Sequence, residues 1–193
     1  MHILAIYGSP RKGGNSEVLL EHFLAPFENA NSALIEKIRL YELNFSPCLE
    51  CGECERNGSC KLKDDFFFLY SKLLKVDLLV LSTPVFFYSH PAMVQAFFER
   101  LQPFWIRKNV FKEKLRKVPL KGVLLCIGAT RGEKLFDGIK RSFKYALSAL
   151  DGELIGNVFV RGVEKKGEIL GKKSALKKAE ELGLKILREF QRA

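Results

Sequence analysis

Short apolar runs alternate with amphipathic stretches along the chain, and this alternation predicts strands and helices in turn. His2–Tyr7 is a compact apolar run ending at Gly8, the pattern of a strand buried on both faces. Over residues 15–25, Val18, Leu19 and Phe23 fall close to helical spacing, and Pro26 is expected to stop that helix. Residues 33–40 read as a second strand. Residues 77–82 (DLLVLS) form a third, running into Thr83-Pro84, and residues 122–127 (GVLLCI) a fourth, closed by Gly128. Residues 154–160 are the fifth. Helices are predicted over 64–75, 90–101, 134–150 and 173–190, the last placing Leu176, Ala179, Leu182, Ile186, Leu187 and Phe190 on one face.

Five strands alternating with helices predict an α/β domain built on a doubly wound parallel sheet, with helices on both faces. Neither a repeat nor a low-complexity linker interrupts it, so residues 1–193 are read as one domain, with 44–63 as a cysteine-rich insertion. Ligands of such sheets sit outside the carboxyl ends of the strands, where the strand order reverses. The loops that follow the strands are therefore the places where chemistry is expected.

The first such loop is Gly8-Ser9-Pro10-Arg11-Lys12-Gly13-Gly14-Asn15-Ser16, between the first strand and the first helix. Backbone N–H groups at a helix start lack intrahelical partners, and the helix dipole adds positive potential there. A phosphate satisfies both. Ser9, Asn15 and Ser16 offer polar contacts, Arg11 can pair with an anion, and the glycines admit close backbone approach. The loop lacks the lysine of a Walker A sequence and the spacing of the dinucleotide fingerprint, so a monophosphate fits better than a triphosphate or pyrophosphate. The plainer alternative is a glycine-rich turn capped by Asn15 or Ser16. At the end of the third strand, Phe86, Phe87 and Tyr88 can shield a flat ring or simply pack in the core; the surface turn Ser89-His90-Pro91 directly after them favours the first.

Four of the five cysteines fall at Cys48, Cys51, Cys54 and Cys60. Three thiolates spaced by two residues can converge from one tight loop, and Gly58 permits the return that brings in Cys60. Ferredoxin sequences open with the same spacing around a [4Fe–4S] cluster. Structural zinc more often takes two separate C-x2-C knuckles. A zinc site, a labile disulfide and bare thiols remain alternatives. Cys126, inside an apolar run, reads as an inert buried thiol. The three histidines show no metal-ligand spacing; His90 lies near the third strand-end loop and could reach a substrate.

Composition changes this picture little. A hydrophobic share of 47% beside 28% charged residues describes a globular chain and argues against disorder. No apolar stretch approaches the roughly 20 residues of a membrane helix, and no export signal is read, so a cytoplasmic protein is expected. The net charge of +10 is read first as solvated lysine-rich helix surface. It would also steer an acidic partner; no recognition motif for nucleic acid is present, so a nucleic-acid partner is not expected. High Lys and Glu together would also suit a thermophile.

The loop GSPRKGGNS after a strand resembles the phosphate loop of the NADPH-dependent FMN reductase family in the flavodoxin-like superfamily. Thr83-Pro84-Val85-Phe86-Phe87-Tyr88, followed by Phe97-Phe98-Glu99-Arg100, resembles that family's second segment, with Phe86 where tyrosine is usual and Glu99 where aspartate is usual. The cysteine spacing resembles its iron–sulfur flavoprotein branch. The resemblance implies a flavodoxin-like fold with FMN as cofactor. Ser9, Arg11, Lys12, Gly14, Asn15 and Ser16 would hold its phosphate, Pro84, Val85, Phe86, Phe87 and Tyr88 would lie beside the isoalloxazine, and Gly128 and Thr130 would meet the pyrimidine edge. Cys48, Cys51, Cys54 and Cys60 take the role of [4Fe–4S] ligands. The implied function is an FMN-dependent oxidoreductase passing electrons between cluster and flavin, with no protein side chain required as catalyst because the flavin carries the chemistry. NAD(P)H or a small acidic redox protein such as ferredoxin would be the donor, and a homodimer or homotetramer is implied, with the cysteine segment at a subunit boundary. Two other readings are a cluster-free NAD(P)H-dependent FMN or quinone reductase and a redox-sensing binding protein without turnover.

Overall fold

The computed structural model describes residues 1–31 and 33–192. Its centre is a five-stranded sheet of β1 (His2–Tyr7), β2 (Leu34–Arg39), β3 (Leu78–Pro84), β4 (Leu120–Gly128) and β5 (Gly152–Arg161), in the order β2-β1-β3-β4-β5. All four pairings are parallel. This is the flavodoxin-like order, and it reverses between β1 and β3. At that point the Gly8 N–H donates to the Ser82 carbonyl at 2.8 Å, holding the two strand ends together.

Successive side chains of a strand point to opposite faces, so each central strand feeds two cores. Ile3, Ala5, Val80 and Leu125 face α1 (Asn15–Asn29) and α7 (Lys173–Arg192). Leu4, Ile6, Leu81 and Cys126 face the other side, where α3 (Phe67–Lys75), α4 (Ala92–Glu99), α5 (Gln102–Asn109) and α6 (Asp137–Ala149) lie. A fifth short helix on this side of the chain order, α2 (Glu53–Asn57), belongs to the cysteine segment. Cys126 is fully buried, and burial alone pushes its thiol far above the ordinary range, as an inert core residue should show.

Several helices differ from the pattern-based expectation. The first helix runs through Pro26 to Asn29, because Phe27 still has core to cover and Pro26 packs against Gly183 of α7. A Cβ at Gly183 would collide with the Phe23 carbonyl and touch Pro26, so the close crossing of the two helices requires glycine there. The helix expected over 90–101 is α4, shorter at both ends; Arg100 and Leu101 turn the chain with ψ near zero (−3° and −2°), and a further helix, α5, starts beyond it with Pro103 in its first turn. α5 itself was not foreseen. α7 buries Leu176, Ala179, Ile186 and Leu187 on the expected face, while Leu182 and Phe190 pack partly buried at its edge.

Candidate functional site

The phosphate-loop candidate leaves β1 and bends into α1, whose N-cap, Gly14, has extended backbone and no side-chain cap hydrogen bond. The plain capped-turn alternative therefore lacks its cap. The first helical bond runs from the Val18 N–H to the Gly14 carbonyl, at 3.1 Å. The amides of the opening turn thus have no intrahelical partner, and Gly14, Asn15 and Ser16 line the cleft beside the loop. Gly14 is needed for closeness: a Cβ there would stand 2.9 Å from the Arg11 carbonyl oxygen.

A cleft of about 300 Å³ is lined by Ser9, Arg11, Gly14, Asn15 and Ser16 from this loop and by Pro84, Val85 and Phe86 from the end of β3. The two segments singled out from sequence thus meet across the strand-order reversal. A second hollow of about 290 Å³ adjoins it, sharing Val85 and Ala129 and lined also by Phe87, Tyr88 and Thr130. Lys12 lies outside both, paired with Glu42 at 2.5 Å. Gly128 lies beneath them, buried at the end of β4, its carbonyl accepting the Val163 N–H at 3.2 Å.

The loop after β5 also forms a wall, which sequence reasoning missed. Val163 and Glu164 line the cleft, and the Glu164 carbonyl accepts a bond from Arg11 Nη1 at 3.3 Å. Asn15 staples this loop down: its Nδ2 donates to the Lys165 carbonyl at 2.8 Å, and its Oδ1 accepts the Gly167 N–H at 2.9 Å and the Ile169 N–H at 3.4 Å. The side chain of Asn15 is therefore committed to the loop, and its contribution to the cleft is its backbone. Gly162 and Gly167, at the carboxyl end of the last strand, were the available signal.

On the outer side of the loop, Glu17 accepts the Gly13 N–H at 2.8 Å and takes two bonds from Arg39. The Arg39 guanidinium holds the Glu17 carboxyl below its ordinary range despite partial burial, and the Gly13 amide adds to this. The Gly8–Ser16 loop is thus braced by a carboxylate that stays ionised. At the other wall, Phe86 and Ser89 exchange both backbone hydrogen bonds at 2.8 Å. Between them Phe87 and Tyr88 take φ of 49° and 59°, the left-handed region unfavourable to bulky side chains. Phe87 is fully exposed.

Cys48, Cys51, Cys54 and Cys60 line one cavity of about 440 Å³, together with Tyr70, Glu99 and Arg100. All are free thiols. Left-handed backbone at Glu50 (φ 50°), Gly52 (71°) and Gly58 (72°) turns the chain between successive cysteines, so that all four face the same hollow. The donor set, four thiols on one cavity, fits a thiolate-ligated group. Among the described residues, no three His, Cys, Asp or Glu side chains are gathered closely enough to hold a metal ion. Burial, then the neighbouring Cys48, pushes the Cys54 thiol up.

The cavity floor is Arg100, only 1% exposed. It donates to Asp64 at 2.5 and 3.0 Å, to the Ser46 carbonyl at 3.0 Å and to the Tyr70 hydroxyl at 3.3 Å. Burial opposes the charge on each partner, but their mutual hydrogen bonds keep Asp64 below its usual range and Arg100 above its own. This ties the start of the cysteine segment to the end of α4. The helix thus begins just beyond the Phe86–Ser89 turn and ends at the thiol cavity; its eight residues span about 12 Å.

The family model described as NADPH-dependent FMN reductase matches residues 1–135. An iron-sulfur flavoprotein of Archaeoglobus fulgidus is 27% identical over 196 residues, covering 99% of this chain and 81% of that one. Another iron-sulfur flavoprotein, from Methanosarcina thermophila, is 30% identical over 133 residues, covering 68% of this chain and 65% of its own length. Among solved structures, the NAD(P)H:quinone oxidoreductase from Methanothermobacter marburgensis superposes with a TM-score of 0.72 at 19% identity, over 96% of this chain and 98% of that one. That likeness bears on the fold. Among the described residues, no helix is long and apolar enough to cross a membrane.

Proposed function

Because the chain belongs to the NADPH-dependent FMN reductase family of flavin-dependent oxidoreductases, we propose that it binds FMN across the β1–β3 reversal and a [4Fe–4S] cluster in the thiol cavity. The observation that carries the second half is that all four predicted cysteines, free, line one hollow. Similarity along the whole chain to an iron-sulfur flavoprotein supports the same reading.

In this reading the opening amides of α1 hold the flavin phosphate, with Ser9, Ser16 and Arg11 around it. Asn15 and Glu17 keep the loop in shape from either side. Pro84, Val85 and Phe86 wall the ring, and Phe87, Tyr88 and Thr130 bound the hollow beside it. Bound FMN supplies hydride or single-electron exchange, and a cluster supplies single-electron exchange. Cys48, Cys51, Cys54 and Cys60 would hold the cluster. The net charge of +10 would draw in a small acidic redox protein as electron donor.

Protein purified without oxygen tests this through its absorption spectrum and iron content. Flavin bands together with the broad absorption of an iron–sulfur cluster, and about four irons per chain, are expected. Flavin bands with negligible iron would remove the cluster. A second reading, a cluster-free NAD(P)H-dependent reductase, draws on the family match across residues 1–135. Rapid bleaching of the flavin by NADPH alone would favour it.

A further inference from the structure

The hollow beside the proposed flavin cleft is walled by distant parts of the chain. Tyr88 comes from the turn after β3, and Ala129, Thr130 and Leu135 belong to the loop between β4 and α6. The two walls meet at Gly132, where a Cβ would overlap the Tyr88 hydroxyl oxygen; one on Gly138, in the first turn of α6, would come within 3.1 Å of the Tyr88 carbonyl oxygen. Position 132 therefore has to be glycine for Tyr88 to lie where it does. What holds that loop is Arg161, at the end of β5. Its Nε donates to the Gly132 carbonyl at 3.1 Å and its Nη2 to the Glu133 carbonyl at 2.9 Å. The guanidinium carbon also lies 4.9 Å from the centre of the Phe136 ring. Phe159, two residues earlier and so on the same face of the strand, stacks on that ring at 4.7 Å. The end of β5 thus grips the loop on both sides of Leu135, and Arg161 itself lines neither the cleft nor the hollow.

We infer that Arg161 is a positioning residue for this hollow: by fixing the Gly132 and Glu133 carbonyls it holds Gly132 as the seat of Tyr88, and so sets how closely the Tyr88 ring approaches a flat ligand bound there. The inference rests on the FMN reading above, the ligand being the flavin ring. Tyr88 needs such a seat. Its φ of 59° is unfavourable for a bulky residue, and a turn left free to relax would carry the ring elsewhere. Bonds from a charged donor are among the stronger kinds, so the seat resists that relaxation. The geometry also asks for arginine in particular. Two carbonyls of consecutive residues are met by two nitrogens of one rigid plane, a match that the single ammonium of lysine lacks.

The test is a double-mutant cycle on FMN affinity, read by fluorescence titration of the full chain freed of flavin, with thermal melting as the check on the fold. Its members are the native protein, Arg161→Met, Tyr88→Ala and the two changes together. Arg161→Met keeps an apolar stem against Phe136 and removes both donors. Each single change should weaken FMN binding about tenfold. In the Tyr88→Ala background, Arg161→Met should cost less than about twofold more, because the seat has lost its occupant. Fluorescence of the bound flavin should rise in Arg161→Met, since a phenol ring quenches the isoalloxazine only at close range. Arg161→Lys should behave like Arg161→Met, and it takes that place in the cycle if Arg161→Met does not fold. Full recovery with lysine would show that charge alone matters and would overturn the inference. Native affinity in either single variant, or equal losses in both backgrounds, would overturn it too and leave the FMN reading standing. Failure of the native protein to bind FMN would overturn both.

Discussion

Asp64 meets Arg100 through two oxygen–nitrogen contacts of 2.5 and 3.0 Å, and the guanidinium in that pair is only 1% exposed. A charge so placed is stable only while its partner is present. Replacing Asp64 by alanine is expected to destabilise the fold by about 3 kcal/mol, the lower end for breaking a buried pair, since Asp64 retains some water contact. Urea unfolding measures this, and a loss under 1 kcal/mol would show that the pair is solvated after all. The pH dependence follows in sign. Folded Asp64 titrates below its usual range, so the pair's contribution is complete above an unfolded pKa of about 3.9 and disappears as the pH falls through the lower folded value. Native protein should therefore lose stability in acid more steeply than Asp64→Ala.

Asn15 holds the loop after β5 through three hydrogen bonds to Lys165, Gly167 and Ile169. Asn15→Ala should cost about 2 kcal/mol, from amides and a carbonyl left without partners. FMN affinity should also fall, by about tenfold, because the loop forms one wall of the cleft; fluorescence titration would read it. Asn15→Asp separates the two effects. It keeps the acceptor for Gly167 and Ile169, loses the donor to Lys165 and sets a negative charge beside the phosphate. Its affinity should fall further than its stability. Equal affinities for all three proteins would mean that the β5 loop is not part of the flavin site.

These two residues also mark where the sequence pattern stopped being informative. The strands were readable because the central ones are buried on both faces, which leaves an unbroken apolar run such as residues 78–81. The Gly8–Ser16 loop and the aromatic segment could be picked out because each is local, and the fold brings them to one cleft. Asn15 acts on partners about 150 positions away, and only the folded chain shows that its side chain faces them. The helix end near Arg100 was readable, but α5 beyond it was not, because QPFWIRKN carries little apolar periodicity; nor could the pattern show that the Arg100 guanidinium reaches Asp64, 36 positions earlier. Pro26 misled in the opposite direction: local chemistry says stop, and contact with Gly183 lets the helix continue.

The five thiols should separate by reactivity. Cys126 is fully buried and its thiol is pushed far up by that burial, so its thiolate is scarce and sheltered. Cys48, Cys51, Cys54 and Cys60 line an open cavity. Iron-free native protein treated with iodoacetamide is expected to gain four labels within the time that unfolded protein gains five, as counted by mass spectrometry. Anaerobic reconstitution with iron and sulfide should protect those four together. Protection of only two would point to a disulfide in place of a cluster.

Phe87 and Tyr88 occupy the two central positions of a tight turn at φ of 49° and 59°, where asparagine and glycine are the usual residues. Backbone strain of this kind costs on the order of 1 kcal/mol or more per residue, and it persists where the surroundings use it. Here one ring, Phe87, stands fully in solvent, so packing within the chain does not explain it. The other lies against the loop after β4, where its hydroxyl crowds Gly132. Substituting Phe87→Asn with Tyr88→Gly should relieve the strain and raise stability by about 1 kcal/mol. The same change strips two aromatic faces from the hollow beside the proposed flavin cleft, and FMN should bind about tenfold more weakly. Thermal melting and flavin titration on the one double variant therefore move in opposite directions. If stability rises and affinity holds, the turn does not serve flavin binding. If both fall, the strain is balanced by contacts that the rings make within the subunit.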